Sequence, residues 1–393
     1  MRVFLLHSDR DFDVKPHLRD DVFKAMLSGD LFALNRIAFD RQRRKQPDPP
    51  PPPGTDDVLA QDLELGTLWA AMSGGDDFLF QTVKRAILSS LRDPEAIRYR
   101  QRVLADCLER PAIVRQLYEL AIEALENERK ADGGLWFSDR PDMTLSHSVR
   151  VLALHVDVLR RLRQIADQRE GFRSEGFTRF FAMLKGELAD DYLQTVEQHL
   201  RELGFKRGVL ESARLGKGDK GRDYVVRRAP EQRWTERLPF GSRTPGYSFT
   251  IAPRDEAGFR ALEEVRGRGI NLVANAVAQA ADHIKSFFTM LRLELAFYLG
   301  CLNLHERLGH KGEPACFPEP LTEDQPALTT AGLYDVCLTL HVQNRVVGNE
   351  LDADGMSLVM ITGANQGGAR GARPVRCAVR AAGGGPDPGA GPP

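Results

Sequence analysis

Two long amphipathic stretches constrain the fold of this chain more than any other feature. One covers residues 143–168 and the other ends near Leu308, and in both the apolar residues recur every three or four positions. The apolar positions are Leu145, Val149, Leu152, Val156 and Leu159 in the first stretch, and Ile284, Phe287, Leu291, Leu295, Tyr298 and Leu302 in the second. This spacing puts one continuous apolar stripe on a helix. It predicts long helices packed as levers or bundles, rather than a compact α/β unit.

Start signals predict further helices between these stretches. Asp93 precedes Pro94 and Glu95, an order in which Asp caps the helix, Pro suits its first turn and Glu complements its positive end. Pro111 is expected to start another helix, and Ser174 with the following glutamate to open one that continues through residue 193.

A β-rich segment separates the two long stretches. Residues 209–215 and 224–228 flank the glycine-rich run 216–221, which predicts a hairpin, and residues 247–251 predict a third strand. Residues 333–340 and 358–362 predict short buried strands that begin an α/β domain. The predicted fold class is mainly α with a small β insertion, in which long helices carry a β tip.

The positive charges are concentrated in the hairpin region. The chain has 393 residues with 54 basic and 55 acidic side chains, a balance that excludes a polycationic protein. Residues 206–243 nevertheless contain eleven basic and five acidic residues. A basic β tip suits contact with a phosphate backbone without base reading. The candidate DNA-binding residues are Lys206, Arg207, Lys217, Lys220, Arg222, Arg227 and Arg228, and the alternative is a solvated hairpin with no ligand.

A glycine-rich loop follows the predicted strand at residues 358–362. Gly363 and Gly368 have the separation found in a phosphate-binding loop, whose backbone N–H groups turn toward phosphate oxygens. The candidate nucleotide-binding residues are Gly363, Ala364, Asn365, Gln366, Gly367 and Gly368. The motif continues with Lys and then Ser or Thr, whereas this chain has Ala369 and Arg370.

Residues 361–368 resemble the phosphate loop of the MutS family of DNA mismatch-repair ATPases, in which T-G-x-N-x-G-G is followed by Lys, Ser and Thr. Residues 93–101, 295–301, 333–335 and 346–349 also resemble the MutS-related branch. The resemblance covers about residues 56–368. It implies helical levers, a DNA-embracing clamp and an ATPase head, with ATP and magnesium as cofactors. It also implies double-stranded DNA bound by backbone contacts, a homodimer in intact relatives, and Tyr334 and Asn349 near the nucleotide.

The predicted organisation follows from these assignments. It has an N-terminal segment with a proline linker (1–55), a lever (56–204), a clamp-like insertion (205–252), a returning lever helix (253–310), the start of a P-loop ATPase domain (311–368) and a disordered tail (369–393). Within the tail region, Gly, Ala, Arg and Pro supply 23 of the 27 residues from Gly367 onward. Residues 1–46 are expected to form a strand and one or two helices.

The departures from the family limit the predicted activity. We find no N-terminal mismatch-reading domain that could carry the family's F-x-E wedge, and nothing after Gly368 resembles the family's acidic metal and catalytic residues. We therefore expect no catalytic or metal-binding residues and negligible ATP hydrolysis. A shift of reading frame near codon 368 would explain the change in composition there, and a natural divergent terminus is the alternative.

Other function classes remain as alternatives. The chain could be a non-enzymatic helical scaffold with a vestigial phosphate loop, or belong to another P-loop family with coiled arms. Five dispersed cysteines without a C-x-x-C pair indicate neither a disulfide framework nor a zinc site, and favour a cytoplasmic protein. No apolar run approaches the ~20 residues that span a bilayer, so no membrane is expected. His147 and His155 are expected to be helix-surface or packing histidines rather than metal ligands, and Cys316 is expected to be buried.

Overall fold

The computed structural model describes residues 1–12, 55–89, 91–132, 140–168, 170–206, 208–228, 248–321 and 327–356. Helices dominate this part of the chain, and its strands form two small two-stranded sheets, so the prediction of a mainly α fold with little β structure is confirmed. The elements in chain order are α1 Thr55–Asp62, α2 Leu65–Ser73, α3 Asp77–Leu88, α4 Pro94–Glu109, α5 Pro111–Asp132, α6 Pro141–Asp167, α7 Glu175–Glu187, α8 Asp190–Leu203, β1 Leu210–Leu215, β2 Gly221–Arg227, α9 Glu256–His310, β3 Thr329–Leu333, α10 Val336–His341 and β4 Asn349–Asp352.

Local capping determines where several helices begin. The Asp93 carboxylate accepts hydrogen bonds from the backbone N–H groups of Glu95 and Ala96 at 3.3 and 3.1 Å, with Pro94 in the first turn of α4. A capping side chain satisfies donors that the first turn of a helix leaves unpaired. The helix starts predicted for α4, α5 and α7 are confirmed, as is the long helix α6.

The longest element is α9, which has 55 residues and confirms the second predicted long helix. Gly300 allows close packing on it, since a Cβ atom there would lie 2.6 Å from a methyl carbon of Val83 and 3.4 Å from Cβ of Met72. Helices α2 and α3 therefore pack directly against the backbone of α9. Among the described helices, α9 alone is long and apolar enough to cross a membrane. However, 61% of its apolar window is buried in the protein, as in the core helix of a globular domain.

Strands β1 and β2 form the predicted antiparallel hairpin. Its turn is tighter than expected, because β2 begins at Gly221 and a short 3₁₀ turn, Lys217–Asp219, joins the strands. The register shifts between Ser212 and Arg214, where Asp223 adopts a left-handed conformation with φ 56°. Such a bulge twists the hairpin, and Asp is among the few residue types other than Gly that tolerate this conformation.

Two predicted strands are wrong. Residues 248–251 form no strand, and the Phe249 side chain is 82% exposed, so it lacks the packing surface that an apolar strand residue needs. Most of the predicted strand 333–340 is instead helix α10. The Asp335 carboxylate caps this helix by accepting the N–H groups of Cys337 and Leu338 at 2.8 and 3.0 Å. Strand β3 ends at Leu333 and pairs antiparallel with β4.

Two smaller expectations also differ from the structure. The helix predicted to run from Glu175 through Leu193 is divided into α7 and α8. Cys316 is exposed rather than buried. Residues 1–12 contain no strand, and the remainder of the segment 1–46, in which a strand and helices were predicted, lies outside the described residues. The strand predicted at 358–362 and the predicted disordered tail lie outside the described residues.

Packing divides the chain into two compact units. The hairpin unit contains Met1 and residues 119–168 and 181–289. The other unit contains residues 2–118, 169–180 and 290–393, and we call it the cavity unit after an apolar cavity lined by Ile97, Leu104 and Phe297. The hairpin unit has an apolar core of α6, α8 and α9 side chains, including Val151, Val156 and Ala281. Of the two positions predicted for His155, the structure shows packing, because its ring is buried there and lies 3.3 Å from the Ala124 carbonyl oxygen. The predicted domain boundaries stay a prediction.

Candidate nucleic-acid interface

One face of the hairpin packs on helices. Val226 and Glu211 are direct cross-strand partners, and Val226 contacts a cluster that contains Leu145, Ile270 and Ala274. The Glu211 carboxylate lies against Gly269 of α9, where a Cβ atom would collide with it. Partial burial raises the pKa of Glu211, and the positive charge of Arg266 opposes the rise. The absence of a side chain at Gly269 thus fixes how closely the hairpin approaches α9.

The opposite face points to solvent. Leu210 pairs with Arg227 and Ser212 pairs with Val225, and all four lie on the side away from the packed face. Nε of Arg227 donates a hydrogen bond of 2.8 Å to Oγ of Ser212, which holds the guanidinium over the strands. This outer face combines a positioned cation with the partly exposed apolar side chains of Leu210 and Val225.

The turn presents further cations. The Gly216 N–H donates to the Lys220 carbonyl at 2.8 Å and closes the loop, and Gly218 has φ 68°, a conformation that favours glycine. Lys217, Lys220 and Arg222 are all exposed. Their ammonium and guanidinium groups are therefore free to meet an extended anion.

Arg214 extends this group of cations, and it was not among the predicted site residues. Arg214 pairs directly with Arg222 across the strands, so two guanidinium groups project from the same face. The predicted hairpin could not reveal this pair, because its register depends on the bulge after Ser212. The carboxylate of Asp223 lies 3.8 Å from Arg222, too far for a strong hydrogen-bonded ion pair.

A groove of about 680 Å³ lies between the end of α8 and the hairpin. It brings together three predicted residues, Lys206, Arg227 and Arg228, and adds His199 and Arg201, which the sequence did not indicate. The acidic residue that lines the groove is Glu202. Its Oε1 accepts a 2.7 Å bond from Arg228 and a 3.2 Å bond from Gln198. The groove is therefore positive, with one carboxylate that competes with an incoming anion for Arg228.

The predicted DNA-binding residues thus fall into two neighbouring sets. Lys206, Arg227 and Arg228 line the groove, and Lys217, Lys220 and Arg222 lie at the turn and the start of β2. Arg207 lies outside the described residues. Tyr224 is half-buried, with its ring against Gly221, so it is less available for contact with a ligand than the cations.

The predicted nucleotide-binding loop, Gly363, Ala364, Asn365, Gln366, Gly367 and Gly368, lies outside the described residues. Of the residues expected near the nucleotide, Tyr334 donates a 2.8 Å hydrogen bond to the Pro314 carbonyl, and burial raises its pKa. Asn349 begins β4 opposite Leu333. These contacts are structural and leave the role of both residues a prediction.

The arrangement of the hairpin unit suits binding rather than chemistry. Within the described ranges, no group of three or more His, Cys, Asp or Glu side chains is placed to hold a metal ion. The exposed cations of the hairpin and groove are Lys and Arg side chains, which offer only hydrogen-bond donors. Such groups can bind phosphate oxygens along a polyanion.

Comparison with known proteins gives one match. Residues 92–311 match the family described as MutS2 N-terminal domain, over more than half of the chain. Searches of curated proteins and of solved structures gave no match. The matched region includes α4 to α9 and both strands of the hairpin.

Proposed function

This chain belongs to the MutS2 family, and from that premise we propose that it binds duplex DNA through its basic hairpin, in DNA mismatch repair or recombination. The hairpin would act as a clamp-like tip that contacts the phosphate backbone. The resemblance to the MutS family supports an association of this tip with an ATP-binding head, through residues 363–368.

The observation that carries the proposal is the exposed set of cations on the hairpin and its groove. Arg214, Lys217, Lys220 and Arg222 surround the turn, and Arg227 is held on the outer face by Ser212. Backbone phosphates repeat along DNA without regard to sequence, so an extended row of cations can bind any duplex. The proposed binding is therefore independent of base sequence.

Salt dependence tests this proposal. Each phosphate neutralised by Lys or Arg contributes about −0.9 to the slope of log K against log salt concentration. We expect the full chain to bind a 30-base-pair duplex with a steep slope, and the variant Lys217→Gln/Lys220→Gln to lose roughly 1–2 units of that slope. Lys130→Gln removes an equally exposed positive charge from α5 and is the control.

The outcome separates DNA binding from the scaffold alternative. Equal slopes for the wild-type chain and Lys217→Gln/Lys220→Gln would exclude the turn as a phosphate contact. No binding of duplex DNA even at low salt would favour a helical scaffold.

ATP binding is the second part of the proposal. By resemblance to the MutS family, the glycines at 363, 367 and 368 would supply the backbone N–H groups of a phosphate cradle, and the resemblance implies ATP with magnesium in a dimeric head of intact relatives. The absence of Lys and Ser/Thr after Gly368 removes the group that reaches the β/γ-phosphates and the hydroxyl that holds magnesium. We therefore expect no magnesium-dependent phosphate release from ATP above background, and robust turnover would contradict this.

A further inference from the structure

Residues 2–12 lie in the cavity unit as an irregular, bent peptide that belongs to no helix or strand. Their apolar side chains are nonetheless core residues, since Val3, Leu5, Leu6 and Phe12 are each at most 3% exposed. A buried backbone without secondary structure must find other hydrogen-bond partners. For this segment, the partners are side chains of the surrounding helices.

The carbonyl groups of the segment are held by side chains from three helices. The Tyr99 hydroxyl of α4 donates to the Phe4 carbonyl at 2.5 Å, and the Tyr298 hydroxyl of α9 donates to the Leu5 carbonyl at 2.5 Å. The guanidinium of Arg100 lies 3.3 Å from the Leu6 carbonyl oxygen.

Arg179 of α7 extends the same pattern. Its Nη1 donates to the Ser8 carbonyl at 2.9 Å, while its guanidinium lies over the Phe4 ring, 5.5 Å from the centroid. Gly176, one turn earlier, leaves room for this arrangement. A Cβ atom there would lie 2.8 Å from Val103 and 3.0 Å from the Tyr99 hydroxyl.

The N–H groups of the segment meet a buried carboxyl group. Oε2 of Glu294 accepts the N–H groups of Leu5 and Leu6 at 2.6 and 3.1 Å. The backbone donors and acceptors of the segment are thus hydrogen-bonded by side chains of α4, α7 and α9. Peptide-binding grooves hold their ligands in a similar way, because main-chain bonds fix the backbone and buried pockets select the side chains.

We propose that the groove formed by α4, α7 and α9 is a binding site for an apolar peptide, and that residues 2–12 are an exchangeable occupant which the same segment of a second copy of the chain can replace. Forty-two residues of the sequence lie between Phe12 and α1, and they form the covalent connection of the segment to the rest of the chain. That connection gives the chain's own segment the advantage of an intramolecular reaction. Cutting the connection removes this advantage, so replacement of the segment by that of another copy can then be measured.

The experiment uses the full chain with a specific protease site inserted within residues 13–54. After cleavage, a peptide of residues 1–12 with a fluorophore on a C-terminal spacer is added, and fluorescence anisotropy follows its uptake. We expect the labelled peptide to replace the cut segment. A peptide with Leu5→Ser and Leu6→Ser should bind at least about thirtyfold more weakly, because it buries two polar groups in place of leucines.

A matched pair of variants locates the binding. Tyr298→Phe removes the hydroxyl that holds the Leu5 carbonyl, and should weaken uptake about fivefold, the value of one hydrogen bond. Tyr334→Phe also removes a hydroxyl bonded to a carbonyl, that of Pro314, and should leave uptake unchanged. The proposal is wrong if the folded, cut chain takes up no labelled peptide, or if the serine peptide or an unrelated apolar peptide binds equally well.

A second measurement decides the matter if the cut chain unfolds. The uncut chain is mixed with a peptide of residues 1–12 that carries a photoreactive phenylalanine at position 4, and the site of cross-linking is mapped. Labelling near Tyr99 or Arg179 that excess unlabelled peptide suppresses supports exchange in the groove. Labelling confined to other regions, or no labelling, overturns it.

Discussion

Arg214 and Arg222 are direct partners across the two strands of the hairpin, so the exposed face carries two positive charges side by side. Like charges directly opposite one another destabilise a strand pair. A phosphate between the two guanidinium groups would relieve this repulsion. Removal of one arginine of the pair should therefore stabilise the hairpin and weaken DNA binding.

The first prediction follows from this pair. Arg222→Gln should raise the free energy of unfolding by about 0.2–1 kcal/mol, because it removes the like-charge contact. The same change should lower affinity for duplex DNA and reduce its salt slope by about 0.9. Chemical denaturation and fluorescence titration with a labelled duplex measure the two effects. Arg260→Gln, which removes a highly exposed charge from α9, should change neither, and a loss of stability in Arg222→Gln would contradict the prediction.

The second prediction concerns the carboxylate in the groove. Glu202→Gln removes the negative charge that pairs with Arg228 at 2.7 Å, and so frees that guanidinium for phosphate. We expect affinity for duplex DNA to increase by about two- to fivefold at low salt. This factor corresponds to the loss of a competing surface ion pair worth up to about 1 kcal/mol. Glu256→Gln removes an exposed carboxylate from α9 and should not change affinity. Unchanged affinity in Glu202→Gln would show that Arg228 does not contact DNA.

Local signals explain what the sequence predicts correctly. Asp93 caps α4 through the two residues that follow it, and the apolar stripe of α9 is visible because its period is helical over many turns. The strand predicted wrongly at residues 333–340 lacks such a clear local signal. A short apolar run fits a strand or a helix equally well, and only the bonds from the Asp335 carboxylate to two N–H groups decide for the helix.

The candidate site shows the same limit. The cluster of basic residues at 206–228 is a sequence property, but Arg201 joins it only because α8 ends beside the hairpin. Docking of the N-terminal segment depends on contacts such as Leu5 to Glu294, which are 289 residues apart. No periodicity or turn signal encodes contacts of such range, so they had to come from the structure.

The third prediction compares two glycines in one helix. Gly300→Ala places a Cβ atom 2.6 Å from a methyl group of Val83, and should destabilise the cavity unit by about 1–3 kcal/mol, the cost of overpacking a core. Gly309→Ala meets open space in the same helix and should stabilise it by up to about 1 kcal/mol, because alanine is the better helix former. Thermal and urea unfolding measure both variants, and equal shifts in the two would contradict close packing at Gly300.

The fourth prediction is a pH dependence that arises at Glu294. Burial raises the pKa of this carboxyl group from 4.5 to about 8, and the N–H groups of Leu5 and Leu6 oppose the rise. Between pH 4.5 and 8 the folded state then binds more protons at Glu294 than the unfolded state does. The stabilising contribution is fully present below about pH 4.5 and is lost as the pH rises through about 8, by at most about 1.4 kcal/mol per pH unit.

Glu294→Gln removes this titration while it keeps an oxygen acceptor for the two N–H groups. We therefore expect the free energy of unfolding of the variant to rise relative to that of the wild-type chain between pH 5 and pH 8, as measured by urea denaturation at each pH. Glu306→Gln removes a carboxylate from the surface of the same helix and is the control. If the wild-type and Glu294→Gln curves run parallel across this range, Glu294 is not protonated in the folded chain. In that case its two hydrogen bonds to the N-terminal segment are made by the carboxylate ion.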